Sequence, residues 1–321
     1  MSEGSKDDKS FRHQAVLLEQ VLELLSPEPG ETVIDATVGG AGHSAAIAQL
    51  LGKRGRLLCL DQDPAALEAA RLRLHGTEPK VELVHSNFRE LGAAARANGF
   101  APCDCLLADL GVSSHQIDSA PRGFSFSKDG PLDMRMDPSS ELSAADLLRD
   151  LDAHALASIF RRLGEERHAL RIAKAVKQHG DLHSTIELAE LIDRVVPHKG
   201  RGRIHPATRV FQALRLAVNQ ELESLEALLA VLPGLLADGG RAVIISFHSL
   251  EDRLVKKAFS RLAQSCTCPP ELPVCQCGGE ADFELIRRRV VRPEGQEISS
   301  NPRARSARLR AIRKRVAGVT L

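Results

Sequence analysis

Three acids that close apolar strand-like runs have the clearest claim to chemistry in this sequence. Asp35 follows Val33-Ile34, Asp61 follows Arg56–Leu60, and Asp109 follows Cys103–Leu107 and Ala108. A carboxylate at a strand end can accept hydrogen bonds from the hydroxyl or amine groups of a ligand lying across the sheet edge. Asp35 leads into Ala36-Thr37-Val38-Gly39-Gly40-Ala41-Gly42-His43. Glycines there let backbone approach a ligand closely, and the helical pattern that follows offers free N–H groups. Asp61 lies about 20 residues past the glycines, the usual spacing for an acid that takes ribose hydroxyls. Asp109 is followed by Leu110-Gly111-Val112-Ser113-Ser114. A fourth group, His248 in Phe247-His248-Ser249-Leu250-Glu251-Asp252, is a candidate proton carrier or base contact. Its plainer role would be to cap the helix that follows.

The set is a cradle for a nucleoside-containing ligand, and the glycines alone do not say which. Gly40-Ala41-Gly42-His43-Ser44-Ala45 fits the dinucleotide fingerprint loosely. It equally fits the turn that holds S-adenosylmethionine. A pyrophosphate needs an anion cradle, whereas the sulfonium ligand brings a carboxylate and an amine that wants an acceptor such as Asp35. The bland alternative is that the glycines only allow close helix–strand packing.

Alternating strand and helix patterns along the chain place these groups. Ala15–Leu25 reads as an amphipathic helix ended by Pro27, Pro29 and Gly30. Strands follow at Val33–Asp35, Arg56–Asp61, Val81–His85 and Cys103–Leu107, the last delivering Ala108-Asp109. Asp63 before Pro64 is a good N-cap, so Asp63 is assigned to structure and Asp61 to the ligand. Phe88, just past the third strand, borders the same crevice and could either lie against a purine face or be plain core. Arg89–Asn98 reads as a helix. From Gln116 to Gly202 no strong strand pattern appears, and helical patterns recur, including a capping box at Ser184–Glu187. A crossover between parallel strands needs only one helix. This stretch therefore reads as an inserted helical subdomain, a natural substrate lid. A long helix is expected from His205-Pro206 to Leu229. Gly239-Gly240 then closes a turn before a fifth strand at Arg241–Ser246, and a terminal antiparallel pair is expected from Phe283–Val291 and Ser306–Arg315.

Composition bounds the class. The 321 residues are 43% hydrophobic and 26% charged, typical of a globular protein. No apolar run reaches the roughly 18 residues of a membrane span. Met1–Ser10 is polar and charged, a disordered leader rather than a signal peptide. Net charge is only +1, so any surface for a polyanion must be local. The stretch Ile286–Arg315, where basic residues far outnumber Glu294 and Glu297, is such a stripe. Trp and Tyr are absent, so base stacking would fall to Phe, His or Arg. The seven cysteines suit a reducing cytoplasm. Cys59, Cys103 and Cys105 read as core. Cys266, Cys268, Cys275 and Cys277 could hold a structural Zn²⁺. Their C-x-C pairs are tighter than the usual C-x₂₋₄-C knuckle, which favours unbound or redox-sensitive thiols.

Several long blocks carry a resemblance over nearly the whole chain after the leader. They are His13–Glu19, Asp109–Ser114, Arg122-Gly123-Phe124-Ser125-Phe126, Gly130-Pro131-Leu132-Asp133-Met134-Arg135-Met136, His205–Arg209, Ile245–Arg253 and Asn301–Ser306. In these the chain resembles the bacterial ribosomal RNA small-subunit methyltransferase H family, also called MraW. The resemblance implies an S-adenosylmethionine-dependent enzyme that methylates the N4 amine of a cytidine in 16S rRNA at the decoding centre. The implied fold is α/β, a Rossmann-like class I methyltransferase sheet with an inserted all-helical subdomain. The expected layout is a leader at 1–12, a discontinuous core at 13–118 and 206–321, the insert at 119–205 and a Cys-rich loop at 266–279. Implied cofactor contacts are Ala41, Gly42, His43, Asp61, Phe88, Asp109 and Gln116. Two departures stand out: Ala41 where relatives often have Gly, and Gln14-Ala15 where many have a β-branched residue and Pro.

The cytosine amine is a poor nucleophile, because its lone pair is delocalised into the ring. An acceptor on the amine would help, and Asp109 and His248 are the catalytic candidates. Phe124, Phe126, Arg135 and Arg305 are the candidate substrate contacts. The implied partner is 16S rRNA or the small ribosomal subunit, with a cytoplasmic location and a homodimer as accompanying expectations. Two other functions share parts of this pattern. A nicotinamide-dependent dehydrogenase shares the glycine turn and Asp61. A non-enzymatic RNA-binding assembly factor shares the basic stripe but needs no acid at each strand end.

Overall fold

The computed structural model describes residues 15–196, 205–265, 279 and 281–316. The leader and the four clustered cysteines from Cys266 to Cys277 lie outside these residues. The chain divides into two compact units, Met1–Leu110 with Leu228–Leu321, and Gly111–Ala227.

The first unit is built on seven strands: β1 Thr32–Asp35, β2 Arg56–Asp61, β3 Lys80–His85, β4 Cys103–Asp109, β5 Leu236–Ser246, β6 Phe283–Leu285 and β7 Arg308–Lys314. They form one sheet in the order β3-β2-β1-β4-β5-β7-β6. The first five strands are parallel, and β7 runs antiparallel to both β5 and β6. This is the Rossmann-like sheet that the resemblance implied. β1 pairs with β2 on one side and β4 on the other, so the strand order reverses there. In open α/β sheets a crevice opens at that point, outside the carboxyl ends of the strands. The central strands are apolar because both faces are covered: Ile34, Leu57, Leu58, Leu106, Leu107, Val243 and Ile244 are fully buried. The helices of this unit are α1 Leu18–Leu25, α2 Gly42–Leu51, α3 Pro64–Arg73 and α4 Leu91–Ala97, with α12 Ser249–Leu262 and α13 Gly295–Ser300 later in the chain.

The second unit holds α5 Ser114–Asp118, α6 Ala144–Asp150, α7 Ala153–Gly164, α8 Ala169–His179, α9 Thr185–Val195 and α10 Pro206–Asn219. Its described residues contain no strand. Phe160, Ile172, Val176, Leu188, Ile192, Val210 and Leu214 form its core. α7 and α10 approach closely at Gly164, where an added Cβ would sit 2.4 Å from the Arg209 carbonyl oxygen.

Several boundaries differ from expectation for identifiable reasons. The single long helix expected from His205 to Leu229 is two helices, α10 and α11 Glu221–Leu235. Gln220 takes a left-handed conformation (φ 48°) and ends α10. The Arg215 guanidinium grips both Glu221 carboxylate oxygens at 2.7 and 2.9 Å across the break. Gly239 and Gly240 do not precede the fifth strand but lie inside it, next to a register shift against Cys103/Cys105. β6 is only three residues long, and Val291 rejoins β7 as an isolated bridge to Leu309. α1 begins at Leu18 because Leu17 is left-handed (φ 55°). Ser184 caps α9, but Glu187 returns to the His183 N–H rather than to that of Ser184.

The Gly164 contact gives a clean stability test. Gly164→Ala must push α7 away from α10, and overpacking of this kind costs about 1–3 kcal/mol. Urea denaturation should show a lower midpoint with an unchanged slope.

Candidate active site

The glycine turn is tied to its three strands by hydrogen bonds. The Ala36 N–H donates to Leu107 O and the Val38 N–H to Leu60 O, so the turn bridges β4 and β2. The Thr37 hydroxyl accepts from the Asp109 N–H at 2.7 Å. Asp35 accepts from the Thr37 N–H at 3.1 Å and from the Ser44 hydroxyl at 2.6 Å. Asp61 accepts from the Gly39 N–H and the Asp63 N–H, both at 2.9 Å. Asp63 caps α3 through the Ala65 N–H, the structural role its sequence position indicated. The two neighbouring acids therefore do different work: Asp63 starts a helix, and Asp61 braces the turn from the end of β2.

These carboxylates share one property. Burial raises Asp35 to about 6, opposed by the Ser44 and Thr37 hydrogen bonds. Burial likewise raises Asp61 to about 6, opposed by the Asp63 and Gly39 N–H groups. Asp109 is pushed well above the ordinary carboxylate range, first by burial and then by the neighbouring Asp35 and Glu251. Its Oδ1 is buried and has no hydrogen-bond partner among the described residues. Its Oδ2 faces His43 Nδ1 at 3.8 Å. His43 Nε2 lies 2.9 Å from Val16 O. A carbonyl only accepts, so Nε2 carries the proton there.

Asp109 sits opposite Ile245 across the β4–β5 ladder, and the Leu110 N–H donates to Ile245 O. Just past β5, His248 caps α12. The Glu251 N–H donates to His248 Nδ1, and Glu251 returns to the His248 N–H. Glu251 Oε2 also accepts from the Phe247 N–H at 2.8 Å. The helix-capping role weighed for His248 is thus realised, while its Nε2 stays buried without a hydrogen bond among the described residues.

Comparison with known proteins decides the family. The MraW methylase family model matches residues 10–315. A protein of Anaeromyxobacter sp. (strain K) named ribosomal RNA small subunit methyltransferase H is 52% identical over 308 residues, covering 95% of this chain and 98% of that protein. Proteins of the same name from Myxococcus xanthus (51%, 95% and 98% covered) and Geobacter sulfurreducens (49%, 95% and 99% covered) are similar. The chain belongs to the MraW methylase family.

Other candidates in this MraW-family chain are placed as follows. Phe88, half-buried, opens a 3-10 turn after β3. In the second unit Gln116 forms a reciprocal cap with Ser113 at the start of α5. Phe126 packs edge-on against Phe211, with centroids 5.0 Å apart, and against His205 at 5.1 Å. Phe124 has the Arg122 guanidinium 5.8 Å above its ring. Arg135 is held by both Asp133 oxygens and donates to Ser140 O. Back in the first unit, Arg305 is exposed in a 3-10 turn before β7. No group of three or more His, Cys, Asp or Glu side chains able to hold a metal occurs among the described residues. Sequence reading missed Glu251, a carboxylate only 2% exposed. Its signal was the His-x-x-Glu spacing of a reciprocal helix cap.

Ala41 adopts φ 55°, a left-handed geometry that L side chains rarely take, and its methyl group is fully buried. A glycine would relieve strain of about 1–2 kcal/mol but lose a buried methyl and gain unfolded-state freedom. Ala41→Gly should therefore leave the thermal midpoint nearly unchanged. Ala41→Val, β-branched at positive φ, should lower it by several degrees.

Proposed function

We propose that the protein transfers a methyl group from S-adenosylmethionine to the N4 amine of a cytidine in 16S rRNA. Family membership supports this reading, and one observation carries it within the site. Asp35, Asp61, Asp109 and Glu251 gather at the carboxyl edge of the sheet, and burial pushes the first three above their ordinary range. Such a site favours a cation. The methyl donor brings an ammonium and a sulfonium, whereas the pyrophosphate of a nicotinamide cofactor would meet carboxylates at the same turn. The fit extends to the turn itself. An added Cβ at Gly42 would stand 3.0 Å from the Ala15 Cβ, so the backbone there runs close against its neighbour.

The residues that would hold the donor are Ala41, Gly42, His43, Asp61 and Phe88, with Asp109 at the reacting end. Bound S-adenosylmethionine supplies a strongly electrophilic methyl group, so the protein's work is positioning and charge stabilisation. Asp61 offers its remaining lone pairs to ribose hydroxyls. Asp109 Oδ1 supplies the acceptor that holds the cytosine amine in its reacting form.

The basic surface also becomes specific. Arg308 and Arg310 are both committed to Asp252, at 3.1 and 2.7 Å. Arg287 pairs with Glu23 and Arg313 with Glu284. Arg288, Arg289, Arg292 and Arg305 are exposed. Because β7 is antiparallel and Arg308 lies opposite Ser246, Arg305 emerges at the same sheet edge as Asp109. We assign these arginines to the RNA backbone.

Deletion of the gene should remove one methyl from one 16S cytidine by mass spectrometry, and the wild-type chain should restore it. Asp109→Ala should lower turnover at saturating cofactor by about 100-fold or more; unchanged transfer would remove Asp109 from the chemistry. Protonating Asp61 takes away an acceptor for the ribose hydroxyls and part of the site's negative charge, so affinity for the donor should fall as pH falls. For one acid titrating at about 6, calorimetry should give about tenfold weaker binding at pH 5 than at pH 7.5. Reversing Arg288, Arg289 and Arg305 to Glu should weaken RNA binding and flatten its salt dependence by about one slope unit per lost phosphate contact. A salt slope equal to wild type would leave the surface merely solvated.

A further inference from the structure

Two buried polar atoms at adjacent strand ends have no hydrogen-bond partner among the described residues, and they are of opposite kind. Asp109 Oδ1, at the end of β4, is the acceptor, because a carboxyl proton has its place on Oδ2, which faces His43 Nδ1 at 3.8 Å. His248 Nε2, just past the end of β5, is the other. Its character follows from the helix cap. The Glu251 backbone N–H points at His248 Nδ1, so Nδ1 must present its lone pair. In the neutral imidazole the proton then sits on Nε2. That Nε2 lies 3.1 Å from Glu251 Oε1 yet forms no hydrogen bond with it. The His248 side chain is only 10% exposed. Burying an N–H without a well-aligned acceptor is costly, and such a group in a crevice is poised for a ligand.

We infer that His248 and Asp109 together read the Watson–Crick edge of the target base, with His248 Nε2–H donating to cytosine N3 and Asp109 Oδ1 accepting from the N4 amine. This rests on the cytidine methyltransferase reading above and assigns its base specificity. Cytosine presents a donor at N4 beside an acceptor at N3. The protein presents an acceptor beside a donor. Uracil reverses both: its O4 would face the carboxylate and its N3–H the imidazole N–H. Buried polar groups left unpaired by the wrong base give strong discrimination. His248 is thereby a specificity-determining residue and not the proton carrier: with Nδ1 accepting the helix N–H, its ring has no free lone pair for a proton. Ser246 Oγ, at the last position of β5, is buried without a hydrogen-bond partner among the described residues and adds a further polar group at this edge.

The test uses the full-length protein and undermethylated substrate, either 16S rRNA or small subunits. His248→Asn keeps a good helix cap but withdraws the donor. His248→Gln places an amide N–H farther out. His248→Asn should lose about 10- to 100-fold in kcat/KM, with S-adenosylmethionine affinity by calorimetry and the thermal midpoint unchanged. His248→Gln should recover part of the loss. RNA carrying 3-deazacytidine at the target lacks the N3 acceptor. It should cost the wild type a similar factor and cost His248→Asn little more. If the deaza base is methylated at the normal rate by the wild type, or if its penalty and that of His248→Asn simply multiply, the assignment is overturned. The deaza comparison in the wild type holds even where a variant fails to fold. If the wild type methylates no cytidine at all, the functional reading itself fails and this inference falls with it.

Discussion

The structure depends on burying several carboxylates close together at one sheet edge. Asp35 is 1% exposed and Glu251 is 2% exposed, and Asp109 lies near both. Burying like charges together is unfavourable unless protons or a ligand relieve it. The fold offsets part of the cost with fixed dipoles. Backbone N–H groups of Thr37, Gly39, Asp63, Phe247 and His248 all point at these acids, and the Ser44 hydroxyl adds another. The remaining imbalance is concentrated at Asp109, the one carboxylate of the set with an unpartnered oxygen among the described residues. Raised acids of this kind make the empty protein less stable as pH rises from about 4 through 6, because the folded state prefers the protonated form. A cationic ligand reverses that preference. Ligand binding and folding stability are thereby coupled through the same residues.

The sheet makes this arrangement possible. Parallel strands bring every carboxyl end to one edge, and the reversal of strand order between β1 and β4 keeps that edge open. Asp35, Asp61 and Asp109 are terminal residues of their strands, so their placement follows from the ladder rather than from loop conformation. A strand end is stiffer than a loop tip, which suits a site whose work is positioning. The antiparallel β7 serves the same edge from the other direction. It brings Arg308 beside Ser246 and lets Asp252 on α12 bind two of its arginines. α12 is thus fixed at its start, where His248 and Glu251 lie.

Much of this was legible in the sequence because it is local. Apolar runs ending in acids gave β1, β2 and β4, and Asp63-Pro64 gave the start of α3. The misread features are those set by dihedral angles or by distant partners. Nothing in Asn219-Gln220-Glu221 announces a left-handed residue, so two helices read as one. The stretch Ile286–Arg315 reads as one basic stripe, but the pairing of Arg308 and Arg310 with Asp252 spans more than fifty residues of sequence and cannot be seen in a local window. The His-x-x-Glu cap was visible, yet the burial of Glu251 depends on packing between β5 and α12.

Ala41 shows why local rules yield at such a site. A left-handed residue at the entry to α2 would ordinarily be glycine. Here the methyl group is fully buried among the core of the first unit, and apolar burial of that size is worth about 0.8 kcal/mol. Strain and burial are then of similar magnitude and opposite sign. The turn geometry does not depend on the residue's own preference, because the neighbouring N–H groups are already fixed by Leu60, Val38 and Asp61. A backbone over-determined in this way tolerates alanine where a freer loop would not. The same rigidity keeps Gly39 pointed at Asp61 and Thr37 at Asp109, so the turn and the acids are a single positioned unit whatever residue occupies position 41.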